Sequence, residues 1–210
     1  MQESAFSGWR HALQELAATK EAAESWRHTR YQFAHKLGQA LTGSGDSGEP
    51  TISGHVVYGV WLEWGLLYVG QTSKAERRLR DLPVGESHHL ANTFPPEIWS
   101  RIVVISWPRL PEAEVPLQTL GVQEVGLGLE HRLQASLHPL VNATRRTSEG
   151  TWRNVDWSKS RSRGAVASGQ LDELFAAVMN IWGETSNSLT CRVVHPADLL
   201  QLTTEPDATH

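Results

Sequence analysis

The N-terminal part of the chain carries apolar side chains at helical spacing. From Ser4 to Leu41 these side chains return every three or four positions, and no proline or glycine lies between Trp9 and Leu37. This period predicts one long amphipathic helix or a helical hairpin. A glycine- and serine-rich stretch follows at 43–50 and is typical of a flexible linker. The pattern therefore predicts an N-terminal helical arm, 1–42, joined by this linker to the body of the protein.

The next hydrophobic runs have the composition of strands. His55–Leu62 and Leu66–Val69 are rich in β-branched and aromatic residues, and Glu63-Trp64-Gly65 between them favours a turn. We expect an antiparallel hairpin here. The run Arg101–Trp107 has four consecutive β-branched residues and predicts a third strand of the same sheet.

Helical patterns return between and after these strands. A helix is predicted from Lys74 until Pro83 and Gly85 end it, and a second helix over Gln123–Leu137. A last amphipathic helix is predicted over Leu171–Trp182. The elements together predict an α+β fold with a small central three-stranded antiparallel sheet flanked by helices, the helical arm at the N terminus and a helix near the C terminus.

The same pattern divides the rest of the chain. We expect a core at 51–145, a basic loop with a C-terminal helical extension at 146–202, and a disordered tail at 203–210. With 210 residues and 40% hydrophobic content, the chain is long enough for one domain with a full core.

Charge is distributed unevenly along the chain. The formal net charge is −4, so the average charge does not attract nucleic acid, but 131–163 contains seven basic and two acidic residues. Tryptophans are interleaved there, as in surfaces that pair phosphates and stack on bases; a solvated basic loop is the alternative. The candidate nucleic-acid contacts are Arg77, Arg80, Arg145, Arg146, Trp152, Arg153, Lys159, Arg161 and Arg163.

Cysteine content and hydropathy indicate the cellular compartment of the protein. The single cysteine, Cys191, excludes an intramolecular disulfide and a cysteine-based zinc cluster, and it fits a reducing compartment. No apolar run approaches the length that spans a bilayer. We therefore expect a cytoplasmic protein without a membrane partner.

Side chains on and after the hairpin supply the groups that phosphodiester hydrolysis needs, namely help for an attacking water and positive charge beside the phosphate. Tyr58 and Tyr68 lie on adjacent predicted strands, and Arg78 on the following helix can grip a phosphate through its planar guanidinium. Glu130 lies among leucines, where a carboxylate is either paired or a metal ligand, and Mg²⁺ accepts a single protein carboxylate. Asn142 follows where the chain turns back toward the sheet, and its amide can orient the site.

Each of these residues also has a purely structural interpretation. A strand tyrosine usually packs with its hydroxyl at a sheet edge, and the arginines of the first core helix can form a solvated face. Glu130 can form an ion pair with Arg132 or Arg78. The functional interpretation depends on all five residues occurring together and in order.

The same residues resemble the signature of the GIY-YIG nucleases. Tyr68-Val69-Gly70 matches the second half of that signature, with valine in place of isoleucine. Val56-Val57-Tyr58 stands where Gly-Ile-Tyr would be, so the tyrosine is kept and the glycine is lost. The resemblance covers 56–142, under half of the chain.

The resemblance implies a role for each residue. Tyr58 would be the general base or a water-positioning phenol, Tyr68 a second phenol that assists orientation, and Arg78 the group that stabilises the transition state. Glu130 would be the single metal ligand, for Mg²⁺ with Mn²⁺ as a substitute. Asn142 matches the asparagine of the closing Pro-x-x-Asn stretch.

A further position, on the helix after the hairpin, also departs from the family pattern. The histidine commonly found about one turn after the arginine is Leu82 in this chain. His88 and His89 are the candidates to take its place in the site.

Two functions follow from these observations. The first is a Mg²⁺-dependent DNA endonuclease, acting in restriction or defence, or alternatively in structure-specific repair. A homodimer formed through the N-terminal helices would let it cut both strands. The second is a catalytically inactive nucleic-acid-binding module that keeps the fold.

Overall fold

The structure is a computed structural model that describes residues 11, 13–43, 51–85, 89–142, 144–146, 149, 152–154 and 156–201. For 144–146, 152–154, 157, 200 and 201 it describes the backbone and not the side chain. The predicted linker after Gly43, the predicted tail at 203–210 and His88 lie outside the described residues.

The elements are numbered here in chain order. The helices are α1 (Lys20–Thr42), α2 (Ala75–Val84), α3 (Leu90–Thr93), α4 (Glu114–Leu120), α5 (Val122–Leu137), α6 (Arg163–Ser168), α7 (Asp172–Trp182) and α8 (Pro196–Gln201). The strands are β1 (Val56–Leu62), β2 (Gly65–Thr72), β3 (Trp99–Ile105), β4 (Thr144–Arg146), β5 (Trp152–Asn154) and β6 (Cys191–Val194). The predicted α+β class is confirmed.

The main sheet is antiparallel and has four strands in the order β2-β1-β3-β6. The predicted hairpin forms β1 and β2, and the predicted third strand pairs with β1 through contacts such as Tyr58 opposite Val104. The strand count expected from the sequence was too low, because β6 adds to β3 at the far edge. β6 is only four residues long and includes the buried Arg192, so it lacks the extended β-branched run that identified the other strands.

Alternation along the strands sends side chains to two separate cores. Val56, Tyr58 and Val104 point to the face covered by α1 and α2, where leucines such as Leu79 pack. Val57, Val103 and Ile105 point to the other face, which α5 and α7 cover. Since both faces of β1 and of the second half of β3 are buried, β1 and the stretch 102–105 of β3 are apolar without a break instead of alternating with polar residues.

Helix α1 begins after a break at Ala17–Thr19 and is capped by the Thr19 hydroxyl, which accepts a hydrogen bond from the Ala22 amide at 3.0 Å. The second half of the helix belongs to the body of the protein, because Phe33, Leu37 and Leu41 lie in the core beneath the sheet. Where α1 crosses α2, a Cβ added to Gly38 would lie 2.7 Å from the carbonyl oxygen of Arg80. Of the helices in the described ranges, none is long and apolar enough to cross a membrane.

A second, two-stranded sheet spans the predicted boundary at 145 and 146 between the core and the basic loop. β4 and β5 pair antiparallel, with Arg145 opposite Arg153 and Arg146 opposite Trp152 in the register. The backbone of this hairpin therefore places four of the candidate nucleic-acid contacts in two adjacent pairs.

Candidate active site

The register of the hairpin puts the two tyrosines on one face of the sheet. Tyr58 pairs with Gly70 and Val60 pairs with Tyr68, so the phenols are diagonal neighbours with ring centroids 6.0 Å apart. Gly70 makes room for both. An added Cβ would lie 2.6 Å from the Tyr68 ring and 2.8 Å from the Tyr58 hydroxyl oxygen, closer than packed atoms approach. The glycine of the Tyr68-Val69-Gly70 stretch is therefore a steric requirement of this pair.

Burial keeps both phenols protonated at neutral pH. Tyr58 is 0% exposed and Tyr68 is 9% exposed. Burial raises the pKa of Tyr58 well above its usual range, and the neighbouring Tyr68 raises it further. Burial, followed by the charge of Glu130, also raises the pKa of Tyr68. The Tyr58 hydroxyl is fully buried and interacts with the Tyr68 hydroxyl, although the pair does not reach full hydrogen-bond geometry. Its hydrogen-bonding capacity is therefore not fully used within the described residues.

Glu130 on α5 is the carboxylate of the site. The Gln71 amide of β2 donates a hydrogen bond to it, and Gln134, one turn later, donates from Nε2 to its Oε1 at 3.4 Å. Burial raises the pKa of Glu130 to about 7, against the lowering effects of the Gln71 amide and of Arg78. This carboxyl therefore changes charge close to neutral pH, which is uncommon for a glutamate.

Arg78 acts electrostatically on all three of these groups. It lowers the pKa of Tyr58, of Tyr68 and of Glu130, so its guanidinium lies within interaction range of each. A cleft of about 210 Å³ opens beside it at the start of α2; Thr72, Ser73, Lys74, Arg77, Arg78 and Asp81 line this cleft. Three of the six lining residues are cationic, which favours an anion the size of a phosphate.

Asn142 closes the free edge of β2. Its Oδ1 accepts a hydrogen bond from the Val69 amide at 2.9 Å, while the Leu140 and Val141 amides donate to the carbonyl oxygens of Leu66 and Leu67 at 3.0 and 2.9 Å. The side chain of Asn142 also hydrogen-bonds Tyr68, which lowers the pKa of that phenol. Asn142 thus holds both the backbone of β2 and one of the phenols in place.

Gln134 and the Gln71 amide are site residues that the sequence analysis missed. Besides its bond to Glu130, Gln134 donates from Nε2 to the Val69 carbonyl at 3.1 Å and so ties α5 to β2. The signal for Gln134 was its spacing of four residues from Glu130, which places both on one helix face. A backbone donor such as Gln71 leaves no comparable signal in a sequence.

The structure does not bring His89 into this cluster. His89 is exposed, lies immediately before α3, and is absent from the groups that shift the pKa values of the tyrosines and of Glu130. Leu82, at the family histidine position, is fully buried in the core. Among the described residues, the cluster therefore consists of the two phenols, Arg78, Glu130 and Asn142, with the two glutamines supporting it.

The candidate nucleic-acid contacts have varied surroundings. Arg77 and Arg80 are exposed on α2, and Arg77 lies 3.7 Å from the Asp81 carboxylate. Lys159 forms an exposed ion pair with Asp156 at 2.9 Å, and Arg163 forms one with Glu124. Arg161 is exposed. The side chains of Arg145, Arg146, Trp152 and Arg153 lie outside the described part of the chain.

The donor set limits which metal the site could hold. In the described part of the chain, no group of three or more His, Cys, Asp or Glu residues gathers to hold a metal ion. A single carboxylate fits Mg²⁺, which keeps several waters and completes its coordination with substrate oxygens. Comparisons with family models, curated proteins and solved structures gave no match to this chain.

Proposed function

We propose that this protein is a Mg²⁺-dependent DNA endonuclease of the GIY-YIG type, which hydrolyses phosphodiester bonds. The observation that supports it best is the convergence of two neutral phenols, a guanidinium and a carboxyl whose pKa is about 7, beside a cationic cleft. Positive charge, water-orienting groups and an ionisable carboxylate are the components of phosphodiester hydrolysis.

Arg78 binds the scissile phosphate. Its planar fork of donors pairs with two phosphate oxygens, and the developing charge of the transition state strengthens that pair. Lys74 and Arg77 line the same cleft and attract the neighbouring phosphates.

The phenols orient the attacking water. Because the pKa of Tyr58 lies well above neutral, this residue is present as a phenol and not as a phenolate. It can therefore hold a water by hydrogen bonding but is a weak proton acceptor at rest. Tyr68, the more exposed of the two, is fixed by Asn142 and presents its hydroxyl to the same space. Of the two roles that the resemblance implied for Tyr58, this environment favours water positioning.

Glu130 would hold the metal. The Gln71 amide and Gln134 fix the carboxylate, and ionisation near neutral pH gives it the charge that a cation needs. Mg²⁺ bound there supplies positive charge beside the phosphate. Mn²⁺, with the same preference for oxygen ligands, is expected to substitute.

Substitution of the carboxylate tests the proposal. Glu130→Gln keeps the shape and can still accept from the Gln71 amide, but it carries no charge. We expect plasmid nicking with Mg²⁺ to fall at least about a thousandfold, since charge stabilisation of this kind is worth roughly 10²–10³ for one donor alone. Mg²⁺ at pH 8 should raise the melting temperature of the wild type and not that of the variant.

The matched control is Glu124→Gln, on the same helix but paired with Arg163 away from the phenols. It should nick at the wild-type rate. Equal nicking by Glu130→Gln and the wild type would refute the assignment of the metal site.

A second function is favoured by one specific observation. Leu82 fills the family histidine position and is completely buried, so no titratable side chain is present at that position. A protein that keeps the fold and binds nucleic acid without cutting is therefore the alternative. Gel shifts of duplex, branched and single-stranded DNA that are never followed by nicking, with either Mg²⁺ or Mn²⁺, would establish it.

The proposal extends to the oligomeric state, the compartment and the biological role of the nuclease. One site cuts one strand, so double-strand cleavage takes two copies or two successive nicks, and the helices before Gly43 are the candidate contact between copies. We propose a cytoplasmic protein, since Cys191 is buried as a free thiol and fits a reducing compartment. Mapping the ends produced from plasmids of different methylation distinguishes a restriction role from a repair role.

A further inference from the structure

The exposed side of α1 has an uneven charge. From Trp26 to Thr42 the helix contains Arg27, Arg30 and Lys36 and no acidic residue. Its opposite side is buried against α2, the helix that carries Arg78. This half of α1 is therefore a cationic surface in a chain whose net charge is −4.

Two aromatic rings stand exposed on this surface. Trp26 is 40% exposed and Tyr31 is 52% exposed, although large aromatic side chains are usually well covered. They border a groove of about 220 Å³, which also includes Arg27, Arg30, Ala34, Pro83 and Val84. The groove is smaller than the clefts of about 300 Å³ and more that bind drug-sized molecules, so it suits a single flat group.

Arg30 holds the groove in shape. It donates from Nη2 to the Ala91 carbonyl at 2.7 Å, lies 3.3 Å from the Glu97 carboxylate, and stacks 5.5 Å from the Trp26 ring centroid. The indole is thereby supported from one side before any ligand arrives, which lowers the entropic cost of stacking a second ring on it. Arg27 and Lys36 are exposed on the same helix.

We propose that this groove binds a single-stranded stretch of the nucleic acid beside the cut. An unpaired base stacks on Trp26 and Tyr31, and Arg27 pairs with an adjoining phosphate. The inference rests on the proposed function in taking the bound strand to be part of the substrate. The aromatic and cationic side chains of the groove are the separate reason for expecting it to bind a nucleic-acid base and phosphate. Along α2, Pro83 of the groove lies five residues beyond Arg78, a rise of about 7.5 Å along the helix axis.

Charge argues for this occupant over a second copy of the chain at the groove, so that a contact between copies would use the part of the N-terminal helical segment that precedes Trp26. Two copies meeting at this face would bring the Arg27 and Lys36 side chains of each toward those of the other. A polyanion with exposed bases complements both the cations and the rings.

The test is the affinity for a labelled single-stranded oligonucleotide, measured by fluorescence anisotropy in EDTA so that no cutting occurs. Trp26→Ala and Tyr31→Ala should each raise Kd about tenfold, and Trp26→Phe should retain most of the affinity. Arg27→Gln should lower the slope of log Kd against log salt by about 1. Trp64→Ala, which removes a tryptophan that is 80% exposed on the β1–β2 turn, is the matched control and should leave Kd unchanged.

The variants change exposed side chains, and unchanged circular dichroism melting would verify that they fold. Unaltered Kd in both Trp26→Ala and Tyr31→Ala overturns the inference, as does an equal loss in Trp64→Ala. The inference is also overturned if sedimentation shows a wild-type dimer that Trp26→Ala abolishes while Kd is unchanged. That result would assign the groove to a second copy of the chain. If the protein binds through the groove and never cuts, the proposed nuclease function is refuted and the groove assignment stands. If the protein cuts DNA and these variants bind with the wild-type Kd, the groove assignment is refuted and the nuclease function stands.

Discussion

The two outer strands of the main sheet, β2 and β6, close their free edges in the same way. On β2 the Oδ1 of Asn142 accepts from the Val69 amide at 2.9 Å, and on β6 the Oδ1 of Asn187 accepts from the Val193 amide at 2.7 Å. In each case a side chain takes the hydrogen bond that a further strand would take, which protects the edge from pairing with other chains. Edge closure by asparagine is therefore a structural feature of this fold and does not by itself indicate a function.

The two edges differ in the groups placed beside that asparagine. Next to the β6 edge, burial raises the pKa of the Cys191 thiol to about 11, so the thiol stays neutral under ordinary conditions. Next to the β2 edge, burial raises the pKa of Glu130 to about 7, so its charge changes near neutral pH. Burial raises the pKa of both acidic groups, but the effect depends on the ordinary pKa. A thiol is moved further from neutral pH and keeps its charge state, whereas a carboxyl is moved toward neutral pH and changes charge there.

The largest expected effect is on the pH dependence of stability. Folding raises the pKa of Glu130 from 4.5 to about 7, so the wild type loses stability as pH rises through this window, and an ionised Glu130 costs roughly 3 kcal/mol. Glu130→Gln should match the wild type below about pH 4.5 and exceed its free energy of unfolding by up to that amount at pH 8. Urea unfolding in metal-free buffer at several pH values measures this.

The β6 edge supplies the control for that experiment. Cys191→Ala removes buried volume and should destabilise the protein by a similar amount at pH 5 and pH 8, because the thiol does not ionise between them. A pH-independent difference for Glu130→Gln would contradict the distinction between the two edges.

A smaller effect is expected from the two asparagines. Asn142→Ala and Asn187→Ala each leave a strand amide without its acceptor, and each should lower the free energy of unfolding by about 1–3 kcal/mol. Only Asn142→Ala should also lower the nicking rate, by about tenfold or more, because that residue holds Tyr68. Chemical denaturation and plasmid nicking of both variants provide the comparison; equal nicking by the two would show that edge closure is all that Asn142 contributes.

The smallest effect is expected at Gln134. Gln134→Leu removes a weak donor from the Glu130 carboxylate and should move the midpoint of the pH–nicking profile upward by a few tenths of a pH unit. Gln134→Glu, which adds a second carboxylate one turn away, should move it further. Gln123→Leu, an exposed position on the same helix, should leave the profile unchanged. A downward shift in Gln134→Leu would contradict the assigned donor.

Local sequence patterns predicted the parts of the fold that local physics determines. The hairpin, the third strand and the helices Gln123–Leu137 and Leu171–Trp182 were predicted within one to three residues of the observed ends. The helices have a regular apolar spacing over three or more turns, and the strands are bounded by recognisable turn residues. The turn pairs Leu62 with Gly65, but a register shift between Val60 and Trp61 is what brings Tyr58 and Tyr68 to the same face of the sheet, and the sequence analysis did not predict that shift.

The elements that the sequence did not predict depend on contacts between distant segments. β6 is stable only because β3, about ninety residues earlier, offers it a partner, as in the pairing of Val103 with Val193. The pKa of Glu130 depends on how deeply α5 is covered and on a backbone amide of β2, and neither has a sequence signature. For the same reason the exposure of His89 could not be inferred from its place after the α2 arginines.

The contact between Arg192 and α1 has a consequence for synthesis on the ribosome. The Arg192 guanidinium donates from Nη1 to the Ala40 carbonyl at 3.3 Å, a bond that joins residues 152 positions apart. At translation rates of about 5–20 residues per second, α1 waits on the order of ten seconds before β6 exists. Throughout that interval the Phe33, Leu37 and Leu41 face of the helix has no complete sheet to cover it. Most side chains that cover this face lie between Ile52 and Val104, so what waits for the last strand is the contact with Val194 and the hydrogen bond to the Ala40 carbonyl. The C-terminal end of α1 should therefore be the last part of the helix to become protected from proteases during synthesis.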